Sequence, residues 1–325
     1  MSDLSPASPL LSGRLTKRPT GQQHVAILMA TRNGGATIDA QLDSLAQQTH
    51  RDWSLIVSDD GSTDNTLERV ADFARRHPNH RVVKLRGPGQ GSALNFLSLL
   101  RAAGAAPYAA FCDQDDVWLP EKLARGLTAL GHVEGPAIHG GRTVITDQDL
   151  LPLRLSRSFR KPPAFGNALM QNIAGGNTML LNRAALDVLQ PASRPVQRLI
   201  AHDWWAYQMV TAVGGRLIWD PQPLLLYRQH GKNQIGANDT CAASLRRACG
   251  LFSGRFSGWC DVQTEALLTQ RHRMTRDARA QLDAFVTLND AGVAARMRRF
   301  RRGGFYRQTR RGTLALWIAL AVGRL

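Results

Sequence analysis

The chain has 325 residues, of which 43% are hydrophobic and 20% are charged. A chain of this length buries most of its surface in one large domain or two ordinary ones, so a disordered or fibrous protein is excluded. The 41 Lys and Arg residues outnumber the 25 Asp and Glu residues by 16, and residues 241–325 hold 16 of the basic residues and only 5 of the acidic ones. The C-terminal quarter is therefore expected to seek anionic partners.

The first 23 residues are rich in Ser, Pro and Gly and lack the apolar core of about 7 to 15 residues that a secretory signal needs. We therefore predict a flexible leader over residues 1–23. The longest apolar run, residues 313–323, would form a helix of ~16 Å, which is too short for a hydrocarbon core of ~30 Å. This run is expected to pack in a core or to lie on a membrane without crossing it.

The cysteines are spaced like neither a zinc ribbon nor a dense disulfide framework. Free thiols are the alternative, and they are typical of the reducing cytoplasm. We predict a cytoplasmic protein with free thiols at Cys112, Cys241, Cys249 and Cys260.

Short apolar strands alternate with helices over residues 24–130. The predicted strands occupy residues 24–30, 53–58, 81–85 and 108–112, and each is followed by a loop and a helix. Ser62 or Thr63 is placed to cap the second helix, and Pro120 suits the first turn of the fourth. This alternation predicts a mostly parallel sheet with helices on both faces, in which ligands bind outside the carboxyl ends of the strands.

The pattern is coarser after residue 130. Strands are predicted near residues 142–146, 177–181, 216–219 and 224–228, and helices over residues 183–189 and 202–213. From residue 240 the Arg-rich and Ala/Leu-rich segments predict two or three helices that form a separate basic appendage.

Two acidic pairs follow predicted strands. Asp113 and Asp115 end the fourth strand, and Asp59 and Asp60 end the second. Acids in a loop are usually turn or cap residues, but two anionic loops at one edge of a sheet are costly unless a positive charge lies between them. Carboxylate oxygens are the ligands that Mg²⁺ and Mn²⁺ prefer. The sequence therefore predicts a site for a divalent cation at this edge.

The segment Gly87-Pro88-Gly89-Gln90-Gly91 follows the third strand, but its glycines lack the spacing of a dinucleotide fingerprint. The sequence also holds no Walker A motif and no Gly-x-Ser-x-Gly nucleophile elbow. We therefore expect neither a nicotinamide cofactor nor a hydrolase of that type.

A family resemblance spans residues 24–236. It rests on six segments in register: ILMATRNGG, VSDDGSTDNT, FCDQDDVWLPEKL, AGGNTMLLNRAAL, HDWW and YRQHGKNQIG. In order and spacing they resemble the inverting family 2 glycosyltransferases, and most of all the rhamnosyltransferase type of bacterial surface polysaccharide assembly. The resemblance implies an α/β GT-A fold, with a Rossmann-like sheet over residues 24–239 and a helical, Arg-rich region over residues 240–325.

The resemblance also implies roles for individual residues. Asp113 and Asp115 match the metal motif, with His230 as a further metal or diphosphate ligand, or as a structural histidine. Arg228 and Lys232 flank His230 and match positions that neutralise the diphosphate. The positions that match nucleotide contacts are Thr31, Arg32, Asn33, Asp59, Asp60 and Asp113, where Asp59 could instead cap a helix.

The remaining positions concern the two sugars and the catalytic base. Asp203 matches the base, although an Asp at a helix start is also an ordinary cap, and His202 replaces the Glu that commonly precedes it. Gly175, Gly176 and Asn177 match a loop that sugars approach closely, or else form a plain turn. Trp118 is a sugar platform or a core residue, and Asp116 is a flanking support.

The implied function is metal-dependent transfer of a sugar, with rhamnose among the candidates, from a dTDP-, UDP- or GDP-linked donor to a glycan or lipid-linked glycan. The alternative is a catalytically silent GT-A protein that recruits partners to a membrane. Helical spacing predicts basic stripes, followed by an apolar end with Trp317, Ile318 and Leu320, which indicates peripheral contact with the inner face of the cytoplasmic membrane. Aromatic residues do not interleave with the basic ones, so no nucleic acid is expected. The stripes comprise Arg296, Arg299 and Arg302, and Arg307, Arg310 and Arg311.

Overall fold

The computed structural model describes residues 22–229, 255–290 and 292–323. His230, Lys232, Cys241 and Cys249 lie outside these ranges, so the roles predicted for them stay predictions. Within the described ranges Cys112 and Cys260 are buried free thiols, as expected.

Nine strands in the described part of the chain form one sheet. In chain order they are β1 Val25–Thr31, β2 Trp53–Asp59, β3 Arg81–Arg86, β4 Tyr108–Cys112, β5 Val117–Trp118, β6 Ala137–Thr146, β7 Pro152–Leu155, β8 Leu180–Asn182 and β9 Arg216–Arg228. Their order across the sheet is β3-β2-β1-β4-β8-β6-β9-β5, with β7 paired to β6. The first four of these are parallel neighbours, while β8 pairs antiparallel with both β4 and β6. The predicted sheet is confirmed, and the carboxyl ends of β1, β2, β3 and β4 share one edge.

Helices cover the sheet and form the C-terminal part. They are α1 Ile38–Ala46, α2 Thr66–Arg76, α3 Ser92–Ala102, α4 Lys122–Leu130, α5 Phe165–Ala168, α6 Arg183–Ala192, α7 His202–Ala212, α8 Arg255–Leu268, α9 Arg276–Val286, α10 Val293–Arg302 and α11 Arg310–Ala321.

The central strands are apolar on both faces because helices pack on both sides of the sheet. Along β1, Ala26 and Leu28 face one hydrophobic cluster, while Val25, Ile27 and Met29 face the other. This alternation follows from the two-residue period of a strand. A run of apolar residues without polar interruption is therefore the sequence pattern of a central parallel strand.

Two local predictions about helix starts were wrong. Helix α2 begins at Thr66 with Asn65 at its N-cap position, so neither Ser62 nor Thr63 caps it. Pro120 lies two residues before α4 instead of in its first turn. In the first case the loop is longer than the pattern indicated, because its polar residues bond to the neighbouring loops.

The two strands predicted over residues 216–228 are one strand. Pro221 and Pro223 lie between the two predicted parts, and proline cannot donate a ladder hydrogen bond. The pairing of β9 with β6 instead skips register in this region, from Gly141 opposite Asp220 to Arg142 opposite Pro223. An irregularity of this kind accommodates the prolines within a continuous strand.

The C-terminal helices are not a separate appendage. Four α-helices lie in the described part of this region, and their apolar side chains join the cluster that covers one face of the sheet. Phe300, Leu316 and Leu320 belong to the same cluster as Trp205 and Tyr207. None of the helices in the described ranges is long and apolar enough to cross a membrane.

Candidate active site

Asp59 ties together the loops that follow β1 and β2. The hydroxyls of Thr31 and Ser62 donate to its Oδ1 at 2.8 and 2.5 Å. The backbone N–H groups of Gly61 and Ser62 donate to Oδ2 at 3.2 and 2.8 Å. Asp59 is therefore a buried loop organiser at the end of its strand, and the alternative that it caps α2 was wrong because that helix begins seven residues later.

Asp60 holds the glycine-rich segment after β3. Its two carboxylate oxygens accept from the N–H groups of Gly89 at 2.6 Å and Gly91 at 2.9 Å. Both glycines have positive φ, of 69° and 90°, a conformation that side chains disfavour. The segment that fails as a dinucleotide fingerprint is therefore a wall of the site.

A cavity of about 450 Å³ opens at this edge of the sheet. A cavity of this size suits a small organic ligand. Lys84 and Arg86 add positive charge to its rim. Its lining comprises Asp59, Asp60, Gly61, Leu67, Lys84, Leu85, Arg86, Gly87, Pro88 and Gly89.

Gln114, which the sequence analysis did not single out, joins the loops after β1 and β4. Its Oε1 accepts from the N–H of Arg32 at 2.9 Å, and its Nε2 donates to the carbonyl of Arg32 at 3.0 Å. In the same loop Asn33 adopts φ 49°, and its Oδ1 accepts from the N–H of Thr63 at 2.8 Å. The predicted nucleotide loop thus lies directly against the acidic loop.

The acidic loop concentrates negative charge. Burial, followed by the charges of Asp115 and Asp203, raises the pKa of Asp113 to about 8. In the described residues nothing donates a hydrogen bond to the Asp113 carboxylate, unlike those of Asp59 and Asp60. A bound divalent cation would relieve this repulsion, and carboxylate oxygens are suitable donors.

The described residues do not form a complete cation site. Within them no group of three His, Cys, Asp or Glu residues is arranged to hold a metal by itself. Asp113 and Asp115 fit a cation whose other ligands come from elsewhere, such as the oxygens of a phosphate.

Asp116 connects the acidic loop to two other parts of the site. Its carboxylate accepts from Asn177 Nδ2 at 2.5 Å and from the N–H of Arg228 at 3.2 Å. The guanidinium of Arg228 in turn donates through Nε to the carbonyl of Asp115 at 2.9 Å. Burial, then Asp115 and Asp113, raises the pKa of Asp116 well above its ordinary value. Asp116 thus supports the acidic loop, as predicted. The buried Asn177 donates its hydrogen bond to Asp116.

Asp203 lies in the first turn of α7, across from the acidic loop. Its Oδ2 accepts from the N–H of Gly176 at 2.9 Å, and its Oδ1 from the N–H of Trp204 at 2.6 Å. The N-cap position belongs to Ala201, so Asp203 is not the cap. Its half-buried carboxylate influences the pKa of Asp113 and is therefore near the acidic pair. A Cβ on Gly176 would come within 2.5 Å of the Nε2 of His202 and 3.3 Å of the Cβ of Asp203, which explains the small residue there.

His202 is a buried neutral ring. It stacks on Phe96 at 3.8 Å and meets Phe111 edge-on at 4.8 Å. Burial lowers its pKa to about 4 although Asp203 opposes the shift. The imidazole that replaces the family's Glu thus carries no charge at neutral pH and provides no second carboxylate.

Trp118 is a core residue, so its prediction as a sugar platform was wrong. It is 2% exposed and lies in the cluster on the α1 and α4 side of the sheet. The Lys122 Nζ lies 3.6 Å from the centre of its ring, and burial lowers the pKa of Lys122 to about 7. No pattern in the sequence indicated that a lysine would be buried here.

The site can thus divide a transfer reaction among three places at one sheet edge: an organic group beside β2 and β3, a cation after β4, and an acceptor hydroxyl against Asp203. An arrangement of this kind would suit an enzyme that transfers a group from a bound donor to a hydroxyl. The profile of Glycosyl transferase family 2 matches residues 26–186, and the chain belongs to that family. The family assignment favours an enzyme over the silent binding protein.

Two named bacterial glycosyltransferases are similar to the chain. The dTDP-rhamnosyl transferase RfbG of Shigella flexneri is 29% identical over 230 residues, which are 67% of this chain and 77% of that protein. UDP-Glc:alpha-D-GlcNAc-diphosphoundecaprenol beta-1,3-glucosyltransferase WfgD of Escherichia coli is 27% identical over 165 residues, which are 50% of this chain and 62% of that protein.

A solved structure shares the fold. S. aureus TarS 1-349 in complex with UDP-GlcNAc has a TM-score of 0.51 and 15% sequence identity. The match covers 87% of this chain and 93% of that one. The GT-A fold expected from the sequence is thereby confirmed.

Proposed function

We propose that this family 2 enzyme is a metal-dependent inverting transferase, which moves a sugar from a nucleotide diphosphate to a hydroxyl of a glycan or lipid-linked glycan. The observation that carries the proposal is the half-buried Asp203 carboxylate, which the N–H of Gly176 holds near the acidic pair. A base needs this position, because it must face the acceptor while the donor diphosphate lies beside the acids.

Asp203 accepts the proton of the acceptor hydroxyl as that oxygen attacks the anomeric carbon. The bond from the anomeric carbon to the diphosphate oxygen breaks on the opposite face, and the electron pair leaves with the nucleoside diphosphate. Attack and departure on opposite faces invert the configuration. The N–H groups of Gly176 and Trp204 fix the carboxylate for this step. His202 is neutral and shapes the wall behind it.

Asp113 and Asp115 would hold Mg²⁺ or Mn²⁺, which supplies positive charge to the donor diphosphate. Arg228 lies against the carbonyl of Asp115 and contributes a fixed cation to the same region. His230 and Lys232 are assigned to this region by sequence alone. Charge neutralisation of a leaving diphosphate is the role that such groups commonly have.

The nucleotide is assigned to the cavity beside β2 and β3, with contacts from Thr31, Arg32, Asn33 and the Asp59-Asp60 pair. Candidate donors are linked to dTDP, UDP or GDP. Rhamnose from a dTDP donor is the first to test, because a relative at 29% identity is named a dTDP-rhamnosyl transferase. Gly175 and Gly176, on the side of Asp203, are assigned to the sugars.

A lipid-linked acceptor is supported by the name of the E. coli relative and by helix α11. Leu314, Ile318 and Val322 are exposed along one side of this helix, and the exposed Arg310 and Arg311 lie at its start. These residues suit peripheral contact with an anionic membrane. The predicted apolar end is revised in detail, since Leu320 is buried and Trp317 packs on Phe300.

A thermal-shift panel of dTDP, UDP, GDP and CMP, each with and without Mn²⁺, tests the donor site. A ligand at 100 times its dissociation constant adds ~2.7 kcal/mol to native stability, which moves the midpoint by a few degrees. A shift with one diphosphate, and only with metal, is expected. Equal shifts without metal would contradict the metal-bridged site, and no shift with any nucleotide would contradict the donor assignment.

A further inference from the structure

An exposed apolar face lies beside the active site and plays no part in the mechanism. Leu151, Leu153 and Leu155 are 62%, 61% and 46% exposed. They lie on β7 and at the residue before it, in a segment where the register between β6 and β7 shifts between Ile145 and Thr146. Exposed leucines clustered on an edge strand are an aggregation liability unless something covers them.

The turn of this hairpin carries a second unusual leucine. Leu150 has φ 65°, in the left-handed region where Gly and Asn are favoured. Asp147 stabilises the turn, because its Oδ1 accepts from the N–H groups of Asp149 at 3.0 Å and Leu151 at 2.9 Å. A leucine in this conformation costs free energy that an Asn or Gly would not, and such residues cluster where the side chain is used.

The hairpin is joined to the catalytic site. Arg228, whose guanidinium contacts the carbonyl of Asp115, also donates to the carbonyl of Gln148 in the hairpin turn. Whatever the leucines contact is therefore brought to the rim of the site that holds Asp115.

The charge around the hairpin indicates an anionic partner. The turn carries Asp147 and Asp149, and the segment after it carries Arg154, Arg157, Arg160 and Lys161 with no acidic residue up to residue 186, so these basic residues exceed the acidic ones by two. Lys161 pairs with Gln308 through two hydrogen bonds of 2.9 and 3.0 Å, two residues before α11. The basic segment after β7 thus connects the hairpin with the helix to which peripheral membrane contact is assigned.

We infer that the β6–β7 hairpin is a membrane-contact element, whose leucines enter an anionic phospholipid bilayer and set the active-site rim against the surface that carries the acceptor. The inference rests on the proposed lipid-linked acceptor. Apolar side chains bordered by basic ones are the pattern of interfacial binding, in which buried area and attraction to anionic lipid act together. A second copy of the chain is a poorer occupant, because two surfaces of a protein with net charge +16 repel.

Flotation with vesicles of phosphatidylglycerol and phosphatidylcholine tests the inference on the full chain without donor. The variant is Leu151→Ser with Leu153→Ser, and the matched control is Leu268→Ser with Val286→Ser, where the two native side chains are 43% and 45% exposed elsewhere. We expect the hairpin variant to bind vesicles at least about tenfold more weakly and the control to stay within about twofold of wild type. Equal binding by the hairpin variant and wild type would overturn the inference.

Three further readouts separate this result from other causes. Thermal midpoints should match wild type, because all four side chains are on the surface. Light scattering should show the same molar mass for variant and wild type. If the wild type were a dimer and the variant a monomer, with equal vesicle binding, the leucines would instead serve self-association. The nucleotide-induced thermal shift should persist in the variant, and its absence in wild type would contradict the proposed function instead.

Leu150→Asn provides an independent check. Asn tolerates the left-handed conformation, so the midpoint should not fall. Vesicle binding should weaken by about threefold as one apolar contact is lost. A lower midpoint with unchanged vesicle binding would mean that Leu150 serves only the fold.

Discussion

The sheet edge and the C-terminal helices satisfy their charges in opposite ways. At the sheet edge carboxylates accept hydrogen bonds from backbone N–H groups, as Asp59, Asp60 and Asp203 do. In the C-terminal helices arginines donate to backbone carbonyls, as Arg296 does to Leu320 at 2.9 Å and Arg299 to Thr287 at 2.6 Å. These carbonyls lie at helix ends, where unpaired acceptors and the negative end of the dipole favour cations.

The two regions differ in which charged groups lack a backbone partner. Backbone hydrogen bonds fix a carboxylate or guanidinium in position, as they do for Asp203, while a buried charge without such bonds carries an uncompensated desolvation cost unless a ligand offsets it. Asp113 is the example at the sheet edge. In the C-terminal region Arg310 and Arg311 are exposed, whereas Arg307 lies before α11, donates to the carbonyl of Met170 and covers the ring of Phe256. The basic stripe predicted from Arg307 to Arg311 on one helix was therefore wrong.

The largest expected effect belongs to Asp203→Asn, which removes the base and keeps the shape. Transfer should fall by about 10³-fold, within the range that general bases contribute, while the nucleotide-induced thermal shift stays as in wild type. Initial rates with a dTDP-linked donor measure the loss. Asp187→Asn, at an exposed helical site, is the matched control and should remain near wild-type activity. Turnover within about tenfold of wild type would refute the role of Asp203.

Lys122→Met tests a buried cation that the backbone does not satisfy. Its pKa is lowered in the folded state, so the unfolded chain binds more protons between pH 7 and the ordinary lysine value of 10.5, and wild-type stability should rise across that window. The variant should lose this rise and gain ~2 kcal/mol at pH 7, part of the gain being offset by loss of the contact with Trp118. Urea titrations at pH 7 and 9.5 measure both effects. Equal slopes against pH in the two proteins would contradict the prediction.

Asp113→Asn sharpens the contrast with Asp59. The pKa of Asp113 is raised to about 8, so the folded protein binds more protons than the unfolded chain between pH 4 and 8, and the metal-free wild type should lose stability as pH rises through that window. The variant should not show this loss, and its midpoint at pH 8 should be higher by a few degrees. Asp59→Asn should instead lower the midpoint, because it weakens the acceptor for the N–H groups of Gly61 and Ser62. A midpoint for Asp113→Asn below wild type at pH 8 would be the contrary result.

The smallest effect is expected from the arginines of α10. Arg296→Met should cost ~1 kcal/mol, because the carbonyl of Leu320 loses its donor. Arg298→Met removes the same charge from an exposed position and should change stability by less than ~0.5 kcal/mol. Urea denaturation of the two variants gives the difference. Equal losses would mean that net charge, and not the bond to the helix end, sets the stability.

The sequence predicted best the strands that are buried on both faces of the sheet. β1, β2 and β4 are mostly apolar and almost wholly buried, and each predicted boundary lies within one residue of the observed one. The strand after Arg216 was predicted in two parts, because a sequence shows its prolines but not the register skip that accommodates them. The packing of the C-terminal helices on the catalytic domain was missed, because helical periodicity reveals that a helix has an apolar face but not which surface that face packs against.

The candidate site was predictable where side-chain identity carries the chemistry and not where the backbone does. Asp113, Asp115 and Asp203 lie in the region expected of them because acidic residues at strand and helix ends are visible in the sequence. The hydrogen bonds from the N–H groups of Gly89 and Gly91 to Asp60 could not be predicted, because they depend on the path of the backbone. Lys122 was missed because a lysine next to a functional loop resembles a surface residue until its burial is known. Trp118 was left open between a sugar platform and a core residue, and its burial decides for the core.

Gln114 has a thermodynamic consequence. Both ends of its amide bond to Arg32, so the loop after β1 and the loop after β4 move as one unit. If the nucleotide and the cation bind these loops as proposed, a nucleotide that orders the first loop would also reduce the entropy cost of ordering the second for the cation, and the cation would do the same for the nucleotide. By linkage each ligand raises the affinity of the other by the same factor. Calorimetric titrations in both orders should show this reciprocity, and Gln114→Ala should bring the factor close to one.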